Sequence, residues 1–246
     1  MEQVRSKQEI ISKLKKEILS LQGFNPVCAG ITQFSGLGPI EAAFPNGVFP
    51  RAAIHEFISA EPEHAAACGG FIGGLLKELM INKGACLWIS RSRMIFPAAL
   101  KTFGIEPENI VFIDVVREKD VLWVMEEALK CMGLAAVIGE VREISFMESR
   151  RLQLAVERSK VTGFVLRTDA TKISTTACVA RWQITPIATE LDDGMPGLGA
   201  PRWKVNLLRV RNGNPGSWNM AWATGAFQFI PERTTLPELN ERLKIG

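Results

Sequence analysis

Residues 59 to 67 read Ser-Ala-Glu-Pro-Glu-His-Ala-Ala-Ala and join a strand-like run, Ala53 to Ile58, to a helix-like run, Ala65 to Leu79. Such a junction is where a GxxxxGK[ST] loop holds nucleotide phosphates. Its glycines turn backbone N–H groups toward the anion, its lysine neutralises the β and γ groups, and its hydroxyl ligates magnesium. Ser59, Glu61, Glu63, His64, Ala65 and Ala66 supply none of these devices at the required positions. Pro62 suits the first turn of a helix, so Glu61 and Glu63 fall beside the positive end of that helix, where incoming phosphates would have to sit. A carboxylate ~5 Å from a phosphate charge costs about 3 kcal/mol at an effective dielectric of ~20. The junction is therefore expected to hold no nucleotide, and no other cofactor is indicated.

A second nucleotide device would be an acid ending a hydrophobic strand, poised to orient a magnesium-bound water. "LAAVIGE" places Glu140 there, with Glu143 three residues on. Without a lysine or a magnesium-binding hydroxyl in the first loop, Glu140 is read as a degenerate position with a structural or interface role. The chain has two histidines, His55 and His64. His55 lies inside a strand expected to be buried, and His64 is either a surface residue or, when protonated, an anion contact. Neither a Ser-His-Asp nor a Cys-His constellation is expected, nor a metal site. Five scattered cysteines without a Cys-x-x-Cys pair fit small buried hydrophobes in a reducing cytoplasm better than a disulfide framework.

Charge is unevenly spread. Residues 1 to 140 carry 14 basic and 16 acidic side chains, whereas residues 141 to 246 carry 15 and 10. Within the basic half, residues 194 to 231 contain Arg202, Lys204, Arg209 and Arg211 but no acid, interleaved with Trp203, Trp218 and Trp222. Two readings stand side by side: a nucleic-acid surface working through phosphates and stacking, or a hairpin whose cations face water while its tryptophans fill the core.

These residues must be positioned by the elements around them. Val4, Ile11, Leu14, Ile18 and Leu21 recur at heptad spacing before "GFNP", which predicts an amphipathic helix with a narrow seam. Packing on its own domain and docking on a neighbouring subunit or partner are both open to it. From Ala53 onward, short apolar runs at 53–58, 85–90, 110–116, 134–141 and 162–169 alternate with helical patterns near 64–82, 93–103, 119–132 and 146–159. Strands apolar on both faces, separated by helices, predict a mostly parallel central sheet flanked by helices. "ACVARWQITPI", "PRWKVNLLRVR" and "NMAWATGAFQFI" then follow without helices, so the sheet is expected to finish antiparallel. The expected organisation is an N-terminal helix and linker (1–30), an α/β core (31–231) and a short polar tail (232–246) with Leu236, Leu239 and Leu243. No stretch approaches the ~20 apolar residues of a membrane span.

The order "SGLGPIEAAFPNGVFPRAAIHEF", "CLWIS", "FPAALKTFGIEPENIVFIDVV", "EEALKCMGLAAVIGEV", "WKVNLLRVRNGNPG" and "GAFQF" resembles the core of RecA-like recombinases, over roughly residues 31–230. More narrowly, "FPRAAIHEF" before a degenerate Walker A loop and "ALKTFGIEPENIVFI" resemble the ImuA family, RecA-like accessory proteins of bacterial mutagenic translesion synthesis. The resemblance implies a P-loop NTPase type of fold. It also implies a damage-inducible, SOS-type DNA-repair protein of the cytoplasm, working with an ImuB-like inactive Y-family polymerase and an error-prone replicative-type polymerase. RecA, DNA and a second copy of the chain are further candidate partners. The recombinases extend a lysine pair across a subunit interface toward ATP; here that pair matches Arg209 and Arg211, free to hold DNA phosphates or a partner's acidic surface instead. The stretches that follow Glu140 and Asp169, where recombinases hold DNA, look short, which argues against strand exchange. The leading expectation is thus a pseudo-ATPase adaptor. The alternatives are a DNA-stimulated ATPase using His64 and a neighbour's Arg209 and Arg211, and a cell-division inhibitor of the SulA kind.

Overall fold

The computed structural model describes residues 7, 9–14, 17–18, 36–81, 84–93, 95–168, 173–189 and 199–231. Among these described residues, nine strands form one sheet in the order β3-β2-β4-β5-β1-β6-β7-β8-β9. They are β1 (Ile54–Ile58), β2 (Cys86–Ser90), β3 (Ile110–Asp114), β4 (Ala136–Val141), β5 (Thr162–Arg167), β6 (Ala180–Pro186), β7 (Arg202–Val210), β8 (Gly216–Ala223) and β9 (Ala226–Ile230). β1 to β6 pair in parallel, and β6 to β9 continue antiparallel. The expected mostly parallel sheet with antiparallel C-terminal strands is present. The last apolar run differs in detail, because it contributes to two strands reversed at Thr224 and Gly225, both with positive φ.

Helices α1 (Pro62–Met80), α2 (Glu118–Leu129) and α3 (Phe146–Ser159) cover the two faces. α1 packs with Phe57, Trp88, Phe164 and Trp182 in one core, while Val121, Met125, Leu152 and Val156 pack with Ile54, Ile89, Val137 and Val165 in the other. Each fully buried large apolar side chain contributes about 1.5–3 kcal/mol through loss of apolar surface from water. α3 begins with a capping box, Ser145 accepting from the Glu148 N–H and the Glu148 side chain accepting from the Ser145 N–H.

The helical pattern near 93–103 is realised as a 3₁₀ helix, Pro97–Phe103. Pro97 fixes its start, and Gly104 in the left-handed region ends it after two turns. This short element rests on the glycines of α1. A Cβ on Gly73 would come 2.9 Å from Phe103 and one on Gly70 3.2 Å from it, so this ring lies against bare backbone, as does Phe227 of β9 against Gly74, where a Cβ would come within 2.4 Å. Residues 9–14 and 17–18 are helical, and Ile10, Ile11, Leu14 and Ile18 are exposed there. Val4 and residues 232–246, with Leu236, Leu239 and Leu243, lie outside the described residues. Among the described residues no helix is long and apolar enough to cross a membrane.

Candidate functional site

In an open parallel sheet, ligands meet the carboxyl ends of the strands. Here β1 passes to α1 through three residues, Ser59 to Glu61. The connection is short, and the polar groups of Ser59 are used internally. The Ser59 N–H donates to the Arg167 carbonyl at 2.9 Å and its hydroxyl to the Glu61 carbonyl at 2.8 Å. Pro62 occupies the first turn of α1 as the sequence predicts. Glu61 is the N-cap residue, but its side chain does not cap, and Glu63 is likewise exposed. The carboxylates therefore stand at the positive helix end without being fixed to it. His64 is half-buried, and its Nδ1 makes no hydrogen bond among the described residues.

Glu140 ends up buried in β4, its Oε1 accepting the Trp88 indole N–H at 2.6 Å. Burial raises its pKa and the hydrogen bond from Trp88 lowers it by less. Two cavities meet at Glu140, Ala65 and Thr168. The smaller, about 230 Å³, is polar and includes Ser59, Glu61, Arg91, Glu118 and Arg142. The larger, about 610 Å³, runs between α1, the 3₁₀ helix and the start of β7, and its walls include Trp88, Phe96, Leu100, Phe103 and Trp203. Glu63, Ala66 and Arg202 also line it.

The four cations of the basic strand separate. Lys204 pairs with Thr185 at the carboxyl end of β6 and the Arg202 carbonyl accepts from the Ile187 N–H just beyond it, whereas Arg209 sits opposite Arg181 near the start of β6. Pairing passes from Leu207 to Arg209 and leaves Leu208 as the extra residue of a β-bulge. Arg209 donates to the Thr176 carbonyl at 3.0 Å, and Arg211 donates to the Ala177 carbonyl. Burial first, and Arg209 second, lower the Arg211 pKa. Lys204 is exposed, while Trp203 and Trp222 are buried and Trp218 is partly buried against the core. The core-filling reading of Trp203 and Trp222 holds, which removes them as an open stacking platform.

Sequence reasoning missed the most heavily bonded polar cluster of the sheet. Glu56 in β1 is fully buried and accepts from Arg167 at 2.9 Å, Thr176 at 2.7 Å and Arg181 at 2.8 Å. A charged residue at the centre of an apolar strand was the available signal; its partners lie more than a hundred residues downstream. His55, its neighbour, accepts the Trp182 N–H at Nδ1 and donates from Nε2 to the Pro50 carbonyl, the neutral tautomer these partners require. Burial lowers its pKa to about 4. Burial also pushes the Cys68, Cys86 and Cys178 thiols up to about 12, so they are not nucleophiles.

This strand order, with α1 following the first strand and Glu140 two strands away, is consistent with a RecA-like core. No family model matches the chain. Over 191 residues it is 32% identical to Protein ImuA of Caulobacter vibrioides, in each of two strains, an alignment covering 73% of this chain and 78% of the relative. The chain belongs to the ImuA family.

Proposed function

We propose that this protein is a non-catalytic accessory factor in damage-induced mutagenesis, a RecA-like adaptor that acts through protein partners in translesion DNA synthesis. The observation that carries this reading is the three-residue junction between β1 and α1, bordered by Glu61 and Glu63 at the end of an otherwise intact α/β core. A shape without a phosphate grip retains surfaces rather than turnover. Arg209 and Arg211 are engaged with backbone carbonyls, so they support an ATPase completed by a neighbouring subunit less well than the sequence allowed. The exposed Ile11, Leu14 and Ile18 seam is the leading contact surface, and Arg202 and Lys204 are the cations best placed for an acidic partner or DNA.

Calorimetry with magnesium-ATP, together with capture of a purified ImuB-type polymerase homologue and of RecA without nucleotide, tests the reading. No ATP heat and retention of at least one protein are expected. Replacement of Ile11, Leu14 and Ile18 by Ser should weaken retention by about tenfold or more, since each removes an apolar anchor. Tight ATP capture, or no association with either protein, refutes the adaptor.

A further inference from the structure

We propose that the larger cavity at the carboxyl edge of the sheet binds a flat, uncharged aromatic small molecule carrying one N–H or O–H donor for Glu140. Its volume of about 610 Å³ lies within the range of small-molecule pockets. Trp88, Phe96, Phe103 and Trp203 give it planar apolar walls, and Ala65 and Ala66 on α1 leave the interior unfilled. A polar ligand body would lose its hydration against these walls without replacement.

The donor requirement comes from Glu140. Trp88 holds one carboxyl oxygen at 2.6 Å, and no second hydrogen bond reaches the group among the described residues. A ligand donor entering the cavity would complete the pairing of this buried carboxyl. Charge narrows the class further. Glu63 and Glu140 line the cavity, and Arg202 is the only cation among its described lining residues, so an anion gains little there. The ligand is therefore not a nucleotide, and its binding is independent of whether the adaptor reading holds.

The test uses two fluorescent probes with the same rings, N-phenylnaphthylamine, which is uncharged and has one N–H, and anilinonaphthalene sulfonate, which adds an anion. Titrated into the full chain, the amine should give saturable one-to-one enhancement, with the sulfonate about tenfold weaker or more. Ala66→Phe fills the cavity from an exposed position of α1 and should weaken the amine by about tenfold with an unchanged melting curve. Ala99→Phe, from the opposite wall, makes the same test should the first variant not fold. Glu140→Leu, which removes the acceptor, should weaken it similarly. No saturable signal, equal affinity for both probes, or folded cavity-filling variants that bind like the parent would overturn the proposal. Release of the amine as the protein self-associates would overturn it too, by showing that a second copy covers the cavity.

Discussion

Glu56 on β1 and Glu140 on β4 are buried carboxyls of one sheet, separated by the single strand β5. Around Glu56 every side is occupied: two guanidiniums and a hydroxyl reach its two oxygens within 2.9 Å. Around Glu140 one indole N–H does so, and the rest of the group borders cavities. The first arrangement ties β1, β5, β6 and the Ser174–Thr176 segment together, since Arg181 also donates to the Ser174 carbonyl at 2.5 Å. The second leaves hydrogen-bonding capacity unspent. Glu56 is thus a fully satisfied member of a polar network, whereas Glu140 keeps acceptor capacity that the proposed ligand would use.

Removing the Glu56 charge gives the largest effect expected. Glu56→Gln leaves Arg167 and Arg181 buried without their counter-charge, which costs about 3–5 kcal/mol when one member of a buried pair is deleted. Urea unfolding followed by far-ultraviolet circular dichroism measures it. A loss below about 1 kcal/mol would be typical of exposed ion pairs and would erase the distinction between the two carboxyls.

The next effect isolates the titration of His55, whose neighbour in β1 is Glu56. Its folded pKa of about 4 lies below the unfolded 6.5, so the neutral form is favoured by folding. Its contribution is full above pH 6.5 and is lost as the pH falls toward 4, a change of about 3 kcal/mol. Unfolding free energies across that interval should therefore fall for the parent more steeply than for His55→Gln, whatever the plateau stability of the variant. Parallel curves would mean that His55 is protonated in the fold, in conflict with its acceptor role toward Trp182.

What could be read in advance follows from the range of the interactions. Strand runs and the helix at 146–159 are local patterns with local caps, and the structure places them as expected. The 3₁₀ helix Pro97–Phe103 packs against Gly70 and Gly73 of α1, a contact that the segment's own residues do not encode. Glu56 in "AAIHEFI" looks like an interruption until Arg167 and Arg181 are brought beside it by sheet register. The absence of lysine and glycines at 59–67 was legible from residue types alone, while the compression of the junction to three residues was not. Arg209 and Arg211 appear as available charge in the sequence and prove to be bonded to the Thr176 and Ala177 carbonyls, beside the bulge at Leu208.

The smallest effect is the most discriminating, because its sign separates the two carboxyls. Glu140→Gln keeps an acceptor for the Trp88 N–H and nearly the same shape, so the cost near pH 4 should be slight. The folded pKa of Glu140 is raised above 4.5, chiefly by burial, so its neutral form is the one that folding favours. The stability this contributes is full below 4.5 and is lost as the pH rises through the raised value. The glutamine variant does not ionise, and its stability relative to the parent should therefore increase with pH above 4.5 and then level off. At neutral pH it should equal or exceed the parent, the reverse of Glu56→Gln. A difference that stays flat with pH would mean that Glu140 is as well solvated as a surface acid, and the partly satisfied carboxyl would then no longer point to a ligand. Saturating N-phenylnaphthylamine should flatten the parent's loss of stability above pH 4.5, because an N–H donor favours the ionised carboxylate over the neutral acid, whereas a stabilisation equal at every pH would mean that the walls alone hold it.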